Sequence, residues 1–290
     1  MDTVPGSSKR EGDNSNFERF KFKLIRKLNE REVFMKKLGM IALAALAFFG
    51  ITSSANAATA ILATNDFVGI TFWLVSMGML AGAVFFFLER NTVAASWRTS
   101  VTVAGLIQFV AFVHYVYMRD IWVNTGDTPT VYRHIDWLIT VPMQIVEFYL
   151  ILAAVRKVPT SMFWRLLIAS IVMLVGGYLG EAGYIQEFVG FIIGMAGWIY
   201  ILFEIFSGEA GRAAAKGGNK AVATCFGAMR MIVTIGWAIY PLGYVFGYLA
   251  GLIDTNTLNI IYNLADFVNK LAFGLVIWAA AMQNTSLAKR

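Results

Sequence analysis

The sequence predicts an all-α membrane protein, a bundle of seven transmembrane helices with its N-terminus outside and its C-terminus in the cytoplasm. Three observations carry that expectation. The composition is 58% hydrophobic and only 14% charged, with a mean hydropathy of +0.63, whereas a soluble domain carries about a quarter charged residues. Seven apolar runs, each at or above the ~20 residues that cross a ~30 Å hydrocarbon core, follow one another beyond residue 58. The connections between them are short, and Lys and Arg collect in alternate ones.

The N-terminal segment stands apart. Residues 1–37 hold ten Lys/Arg against six Asp/Glu, so most of the net charge of +6 sits there. The remainder is near neutral, which argues against a nucleic-acid partner. Residues 35–58, MKKLGMIALAALAFFGITSSANAA, combine a basic start, a short apolar run and a small-x-small ending. That pattern predicts a signal peptide over 35–57 with cleavage after Ala57. The alternative is a first membrane helix, for which the uninterrupted apolar run of about a dozen residues is short. Residues 1–34 are polar and mixed in charge. They read either as an over-extended start, with Met35 the true one, or as an unstructured extension whose FERFKFKLIRKL stretch suits a basic amphipathic surface helix. The rest of the chain, 58–290, is expected to be the seven-helix domain. The single cysteine, Cys225, excludes an intrachain disulfide, and no metal-ligating set is expected.

The expected spans are 66–88, 95–119, 130–155, 162–181, 186–206, 221–250 and 257–282. They are too long for barrel strands and lack period-two alternation. Arg90 and Arg98 lie between the first and second, Arg156, Lys157 and Arg165 between the third and fourth, and Arg212, Lys216 and Lys220 between the fifth and sixth; Lys289 and Arg290 end the chain. The opposite loops carry Asp120, Asp127, Glu187 and Asp254, with Arg119 the main basic exception. The positive-inside rule then sets the orientation given above.

Six ionisable residues fall inside the spans: His114 on the second, Arg133, Asp136 and Glu147 on the third, Asp266 and Lys270 on the seventh. An ionised group at helix centre costs about 3 kcal/mol on insertion scales, so each needs a partner or a task. At ~100° per residue Asp136, Thr140 and Glu147 share one face, and Glu147 lies ~16 Å further along the axis than Asp136. On the expected orientation Asp136 is in the outer half and Glu147 in the inner half. Asp266 sits one turn outside Lys270 on the same face, Arg133 about a turn outside Asp136, and His114, near the outer end of its helix, at the depth of Asp136. The result is a buried lysine with two carboxylates outside it and one inside. Lysines so placed suit Schiff-base chemistry. Two plainer readings stay open: Asp266–Lys270 as an i,i+4 structural ion pair, and Arg133–Asp136 as a second one. Glu147 has no basic neighbour in sequence, which marks it as a proton-carrying group. His134 is given no functional role. Trp137, Met173, Trp198, Trp237, Tyr240, Pro241 and Tyr244 are ordinary membrane-core packing plus a proline kink if taken singly. Together with a buried lysine they line a slot for a long, flat, apolar ligand.

The stretches YRHIDWLITVPMQIVEFYLILAA (132–154), WAIYPLGY (237–244) and LADFVNK (264–270) resemble the microbial rhodopsins, and among them the proteorhodopsins. The likeness runs from about Asn65 to the C-terminus. It implies all-trans retinal bound to Lys270 as a protonated Schiff base. Asp136 is then the counterion and primary proton acceptor, Asp266 the second counterion, and Glu147 the donor from the cytoplasmic side. Thr140 completes the Asp–Thr–Glu triplet of outward proton pumps; sodium and chloride pumps lack the aspartate at Asp136. The resemblance also makes His114 the partner of the acceptor and Arg133 part of the same site. It places Trp137, Met173, Trp198, Trp237, Tyr240 and Pro241 in the retinal pocket. It makes Gln144 the spectral switch, in the blue-absorbing form. Trp73 and the Glu89–Arg90 pair match contacts between protomers in ring-shaped homo-oligomers, pentamers or hexamers, although Asn91 departs from the usual aspartate. Glu181 is a candidate for proton release. The implied function is a light-driven outward proton pump, an ion transporter rather than an enzyme, with the lipid bilayer and protons as partners. The alternatives are a sensory photoreceptor of the same fold and a chromophore-free seven-helix receptor or transporter. Acidification is expected to neutralise Asp136, giving a red shift and loss of outward pumping.

Overall fold

Asp66 opens the bundle. Its Oδ1 accepts from the Gly69 amide at 2.8 Å and caps α1 (Phe67–Glu89), satisfying one of the donors a helix start leaves over. The structure, a computed structural model, describes residues 62–216 and 219–287; the expected signal segment and polar extension lie outside these. Along α1, Val68, Phe72, Val75, Met79 and Phe86 are buried at helical spacing, while Trp73, Leu74, Val84 and Leu88 are exposed. Both faces are apolar, as expected of a helix with protein on one side and lipid on the other.

A single 3₁₀ turn (Ala95–Trp97) leads into α2 (Arg98–Thr125). Then come α3 (Thr130–Ala153), α4 (Thr160–Glu181), α5 (Glu187–Phe206) and a short α6 (Glu209–Ala215). The sixth span is composite: α7 (Lys220–Met231), a π turn (Ile232–Gly236), α8 (Ile239–Tyr244) and a second π turn (Val245–Leu249). The last helix is α9 (Thr255–Leu287). Seven of these segments are long and apolar enough to span a membrane, and no strand occurs among the described residues. Neighbours in sequence pack side by side, and α9 closes the ring against α1 while also touching α2, α7 and α8.

The spans lie where the hydropathy puts them, with two corrections. The second does not end at Arg119 but continues to Thr125. Arg119 and Asp120 are therefore helical and paired, Nη1 donating to Oδ1 at 2.9 Å, and His114 is in mid-helix rather than near the end. The seventh reaches Leu287. At its start the Asp254 carboxylate takes the amides of Asn256 and Thr257 and the Thr257 hydroxyl. The Thr257 bonds above all hold its carboxyl below the usual aspartate range, so this cap is in place at neutral pH and is lost only as acid drops through that lowered value.

Small residues set one interface. A side chain at Gly190 would meet the backbone of Gly180 and Gly176, and one at Gly197 the backbone of Met173. Glycine there lets α4 and α5 approach closely, the usual way membrane helices gain packing without a hydrophobic drive. The sixth span carries Pro241, which offers no N–H, between two π turns. The Trp237 amide reaches back five residues to Ile232 and the Ala250 amide to Val245. Side chains take up carbonyls along this stretch: Trp198 Nε1 donates to Val233, Asn269 Nδ2 to Gly236, and Tyr262 Oη to Tyr240. Such re-pairing is what allows irregular helix at membrane depth.

Candidate functional site

The centre of the site is Lys270 on α9, 2% exposed. Its Nζ donates to Asp266 Oδ2 at 2.8 Å, one helical turn away, and to Asp136 Oδ2 on α3 at 2.7 Å. The lysine thus bridges two elements, so the i,i+4 pairing is real but is half of a three-residue centre. Asp136 is fully buried.

The two carboxylates differ in their hydrogen bonds. Asp266 also accepts from Tyr240 Oη at 2.6 Å, Tyr115 Oη at 2.8 Å and Trp137 Nε1 at 3.0 Å. Four donors from three spans besides its own turn solvate its charge much as water would. Asp136 has the lysine alone on Oδ2, and its Oδ1 has no hydrogen-bond partner. His114 Nδ1 lies 3.9 Å from that free oxygen while hydrogen-bonded to the Val110 carbonyl at 2.9 Å. Thr140 turns its hydroxyl to the Asp136 backbone carbonyl, at 2.9 Å. Adding a proton to Asp136 Oδ1 breaks no hydrogen bond to that atom; adding one to Asp266 disrupts several.

Arg133 departs from expectation. It makes no ion pair with Asp136. Its Nη2 donates to Asn259 at 2.8 Å and Asn263 at 3.0 Å, and its guanidinium lies over the rings of Phe72 and Tyr262. The structural Arg133–Asp136 pair is therefore absent, and neutral amides plus aromatic faces take its place.

Glu147, on the same face of α3, is fully buried, and neither carboxyl oxygen has a hydrogen-bond partner although Ser100 lies beside it. Phe148, next along α3, packs edge-on against Phe226 and Phe273.

From Lys270 a cavity of about 880 Å³ of atom-free space, counted to its open mouth, crosses to α4 and α5. Trp137, Gln144, Met173, Trp198, Trp237, Tyr240, Pro241, Tyr244 and Lys270, the residues grouped from the sequence, all line it. Gln144 is 1% exposed, and its Nε2 has no partner. The sequence reading missed Phe191, Met195, Tyr262, Asn269 and His134, which also line this space. His134 was given no role, yet its Nε2 lies 3.5 Å from Glu181 Oε2, whose other oxygen accepts from Tyr248 Oη at 2.6 Å.

The residues matched to protomer contacts are partly engaged within the chain. Trp73 is 45% exposed beneath the Arg119 guanidinium. Glu89 accepts from Trp278 Nε1 at 3.0 Å, and Arg90 Nε donates to Thr102 at 2.8 Å.

A closed ring of seven membrane-length helices around a buried lysine, two carboxylates and an aromatic slot defines a seven-helix membrane protein with an internal cavity that opens onto a buried amine. Among such proteins, the chain belongs to the bacteriorhodopsin-like family, which it matches over residues 66–284. It is 56% identical over 226 residues to the blue-light absorbing proteorhodopsin of Gamma-proteobacterium Hot 75m4, covering 77% of this chain and 90% of that one. It is 52% identical over 230 residues to the green-light absorbing proteorhodopsin of Gamma-proteobacterium EBAC31A08, covering 78% and 91%. The crystal structure of the blue light-absorbing proteorhodopsin from Med12 superimposes with a TM-score of 0.67 at 54% identity, covering 76% of this chain and all of that one. The chain is thus a multi-pass bacterial membrane protein of the microbial rhodopsin type.

Proposed function

We propose that the chain is a light-driven outward proton pump that carries all-trans retinal on Lys270. The observation that carries this is the asymmetry around the lysine: a saturated carboxylate, a carboxylate with a bare oxygen, and on the same helix face as the latter a third, unpartnered carboxyl. The residues present fit the chromophore, because the amine stands at one end of an apolar aromatic slot that crosses the bundle. When bound there as a protonated Schiff base, retinal supplies light absorption and a photoisomerisation.

The chain's own residues then supply the path. Asp266, held by four donors, stays ionised as the second counterion and fixes the position of Nζ. Asp136 receives the proton on Oδ1, with His114 Nδ1 beside it. Glu147 keeps its proton in an apolar surround until a base appears on the Lys270 side, then delivers it. With the N-terminus outside, Asp136 faces outward and Glu147 inward, so the net movement is outward across the bacterial inner membrane. Arg133 holds positive charge on the outer side, and the homo-oligomeric ring remains part of this reading. Illuminating a suspension of cells that make the protein with its chromophore is expected to acidify the medium, an effect abolished by a protonophore. A pH unchanged by light would favour a photosensor.

Two spectral results follow from Asp136 and Gln144. Lowering the pH protonates Asp136 and removes the negative charge facing Nζ, so the band is expected to move to the red and outward pumping to cease, both reversing above the midpoint. An absorption spectrum that stays put through an acid titration removes Asp136 from the counterion position. Gln144 lines the same cavity as Lys270 with its Nε2 unpaired. An amide dipole with its oxygen end toward the nitrogen favours the ground state, whose positive charge is localised there, and widens the gap to an excited state whose charge has moved away. The protein is therefore expected to absorb in the blue, and Gln144→Leu to shift the band toward green in the reconstituted protein.

A further inference from the structure

At the end of the bundle where Lys and Arg collect, a crevice of about 1210 Å³ of atom-free space, open to solvent, lies between the α3–α4 connection, the end of α5 and α6. Arg156, Lys157, Arg165, Arg212 and Lys216 line it against two carboxylates, Glu204 and Glu209. Both carboxylates are already spoken for. Arg165 Nη2 donates to Glu204 at 3.0 Å and to Glu209 at 2.6 Å, and Glu204 Oε1 also takes the amides of Glu209 and Ala210. Arg156 and Arg212 each give one nitrogen to a backbone carbonyl, those of Ala213 and Ser207. Lys157 and Lys216 are exposed and pair with none of the described residues. The crevice therefore holds uncompensated positive charge.

A second feature adjoins it. An apolar groove of about 600 Å³ runs along the outer surface between α4 and α5, lined by Ile168, Ala169, Val172, Ala196, Gly197 and Tyr200 together with Arg165. Ile168, Val172 and Tyr200 are exposed there. Arg165 and Tyr200 line both spaces, so the charged crevice and the apolar groove meet. A soluble anion would need only the first, and a neutral hydrocarbon only the second. A molecule with a negative head and an alkyl tail needs both in this order, and basic pockets at helix ends on the membrane surface are where such lipids are held.

We propose that crevice and groove form one binding site for an anionic glycerophospholipid, its phosphate against Lys157, Lys216 and Arg212 and one acyl chain along Ile168, Val172 and Ala196. The site is independent of the pumping residues. It is tested by native mass spectrometry of the delipidated full chain with phosphatidylglycerol and phosphatidylcholine of the same chain length at equal concentration. One phosphatidylglycerol per protomer is expected to stay bound under activation that strips phosphatidylcholine. The double variant Lys157→Gln/Lys216→Gln is expected to lose roughly tenfold or more in retention, while Lys157→Arg/Lys216→Arg keeps it. Ala196→Trp, which fills the groove and leaves every charge in place, is expected to lose it as well. Equal retention of the two lipids, or retention unaffected by the glutamine pair, overturns the proposal. So does displacement of phosphatidylglycerol by an equal concentration of glycerol 3-phosphate or inorganic phosphate, which makes the occupant a soluble anion.

Discussion

A Lys270→Ala protein given all-trans retinal is expected to remain colourless, with no band in the visible, while the unaltered protein develops one. The lysine supplies the cavity's one primary amine: among the other residues lining it there are only a histidine, amides, carboxylates and apolar or aromatic side chains, and none of these forms a linkage to an aldehyde that survives in water. The substitution has a structural cost as well. It removes the cation between two buried carboxylates, and leaving one member of a buried pair alone costs about 3–5 kcal/mol when the group must stay charged. Here the cost is contained, since Asp266 retains Tyr115, Trp137 and Tyr240 as donors and Asp136 is free to take a proton on Oδ1. The variant is therefore expected to keep its helical circular dichroism, with a lowered thermal midpoint. A visible band that persists in Lys270→Ala, or borohydride trapping of retinal on another side chain, would place the chromophore elsewhere and dismantle the proposed function.

How far this centre was legible from the sequence follows from what is costly in a membrane. Lys270, Asp136, Asp266 and Glu147 stand out because an ionisable residue in an apolar run needs a reason, and α-helical periodicity alone puts Asp266 over Lys270 and Glu147 on the face of Asp136. The groups that complete the site have no such signature. Tyr115, Trp137 and Tyr240 are ordinary aromatics in apolar helices until the ring of spans closes and turns all three onto Asp266. Nothing local says that Asn259 and Asn263, one turn apart on α9, hold Arg133 in place of Asp136. The His134–Glu181–Tyr248 set joins three spans and was beyond periodicity altogether.

The fold shows the same division. Hydropathy locates every span, because the run length is fixed by the membrane's thickness. It fails at the ends, where long charged side chains reach toward the interface from a helix that continues: Arg119 and Asp120 stop an apolar window but not α2. Pro241 signals a bend, but the paired π turns and the side chains that take up their carbonyls depend on α5 and α9, far away in sequence. In each case the residue types were visible and the partners were not.

The second large effect concerns Glu147. In Glu147→Gln the visible band is expected to stay where it is, since this residue does not line the cavity that holds Lys270, but recovery after a flash is expected to slow by roughly a hundredfold or more. The physical reason is the isolation of this carboxyl. Neither oxygen is hydrogen-bonded and Ser100 is the polar group beside it, so its proton is held chiefly by the cost of charging a buried site, and a strong enough base nearby can draw it off. An amide of the same shape fills the space and offers no labile proton; losing a positioned acid or base of this kind costs about 10²–10⁴ in rate. The rate that remains rests on protons from the medium, so the variant's recovery is expected to accelerate in proportion to acidity and with added azide, whereas the unaltered protein's recovery barely responds to either. Flash photolysis of the two proteins across pH reads this directly. If Glu147→Gln recovers at the unaltered rate, the proton reaches the lysine by another route. If instead its resting colour changes, Glu147 belongs to the electrostatics of the chromophore rather than to the inward half of the proton path.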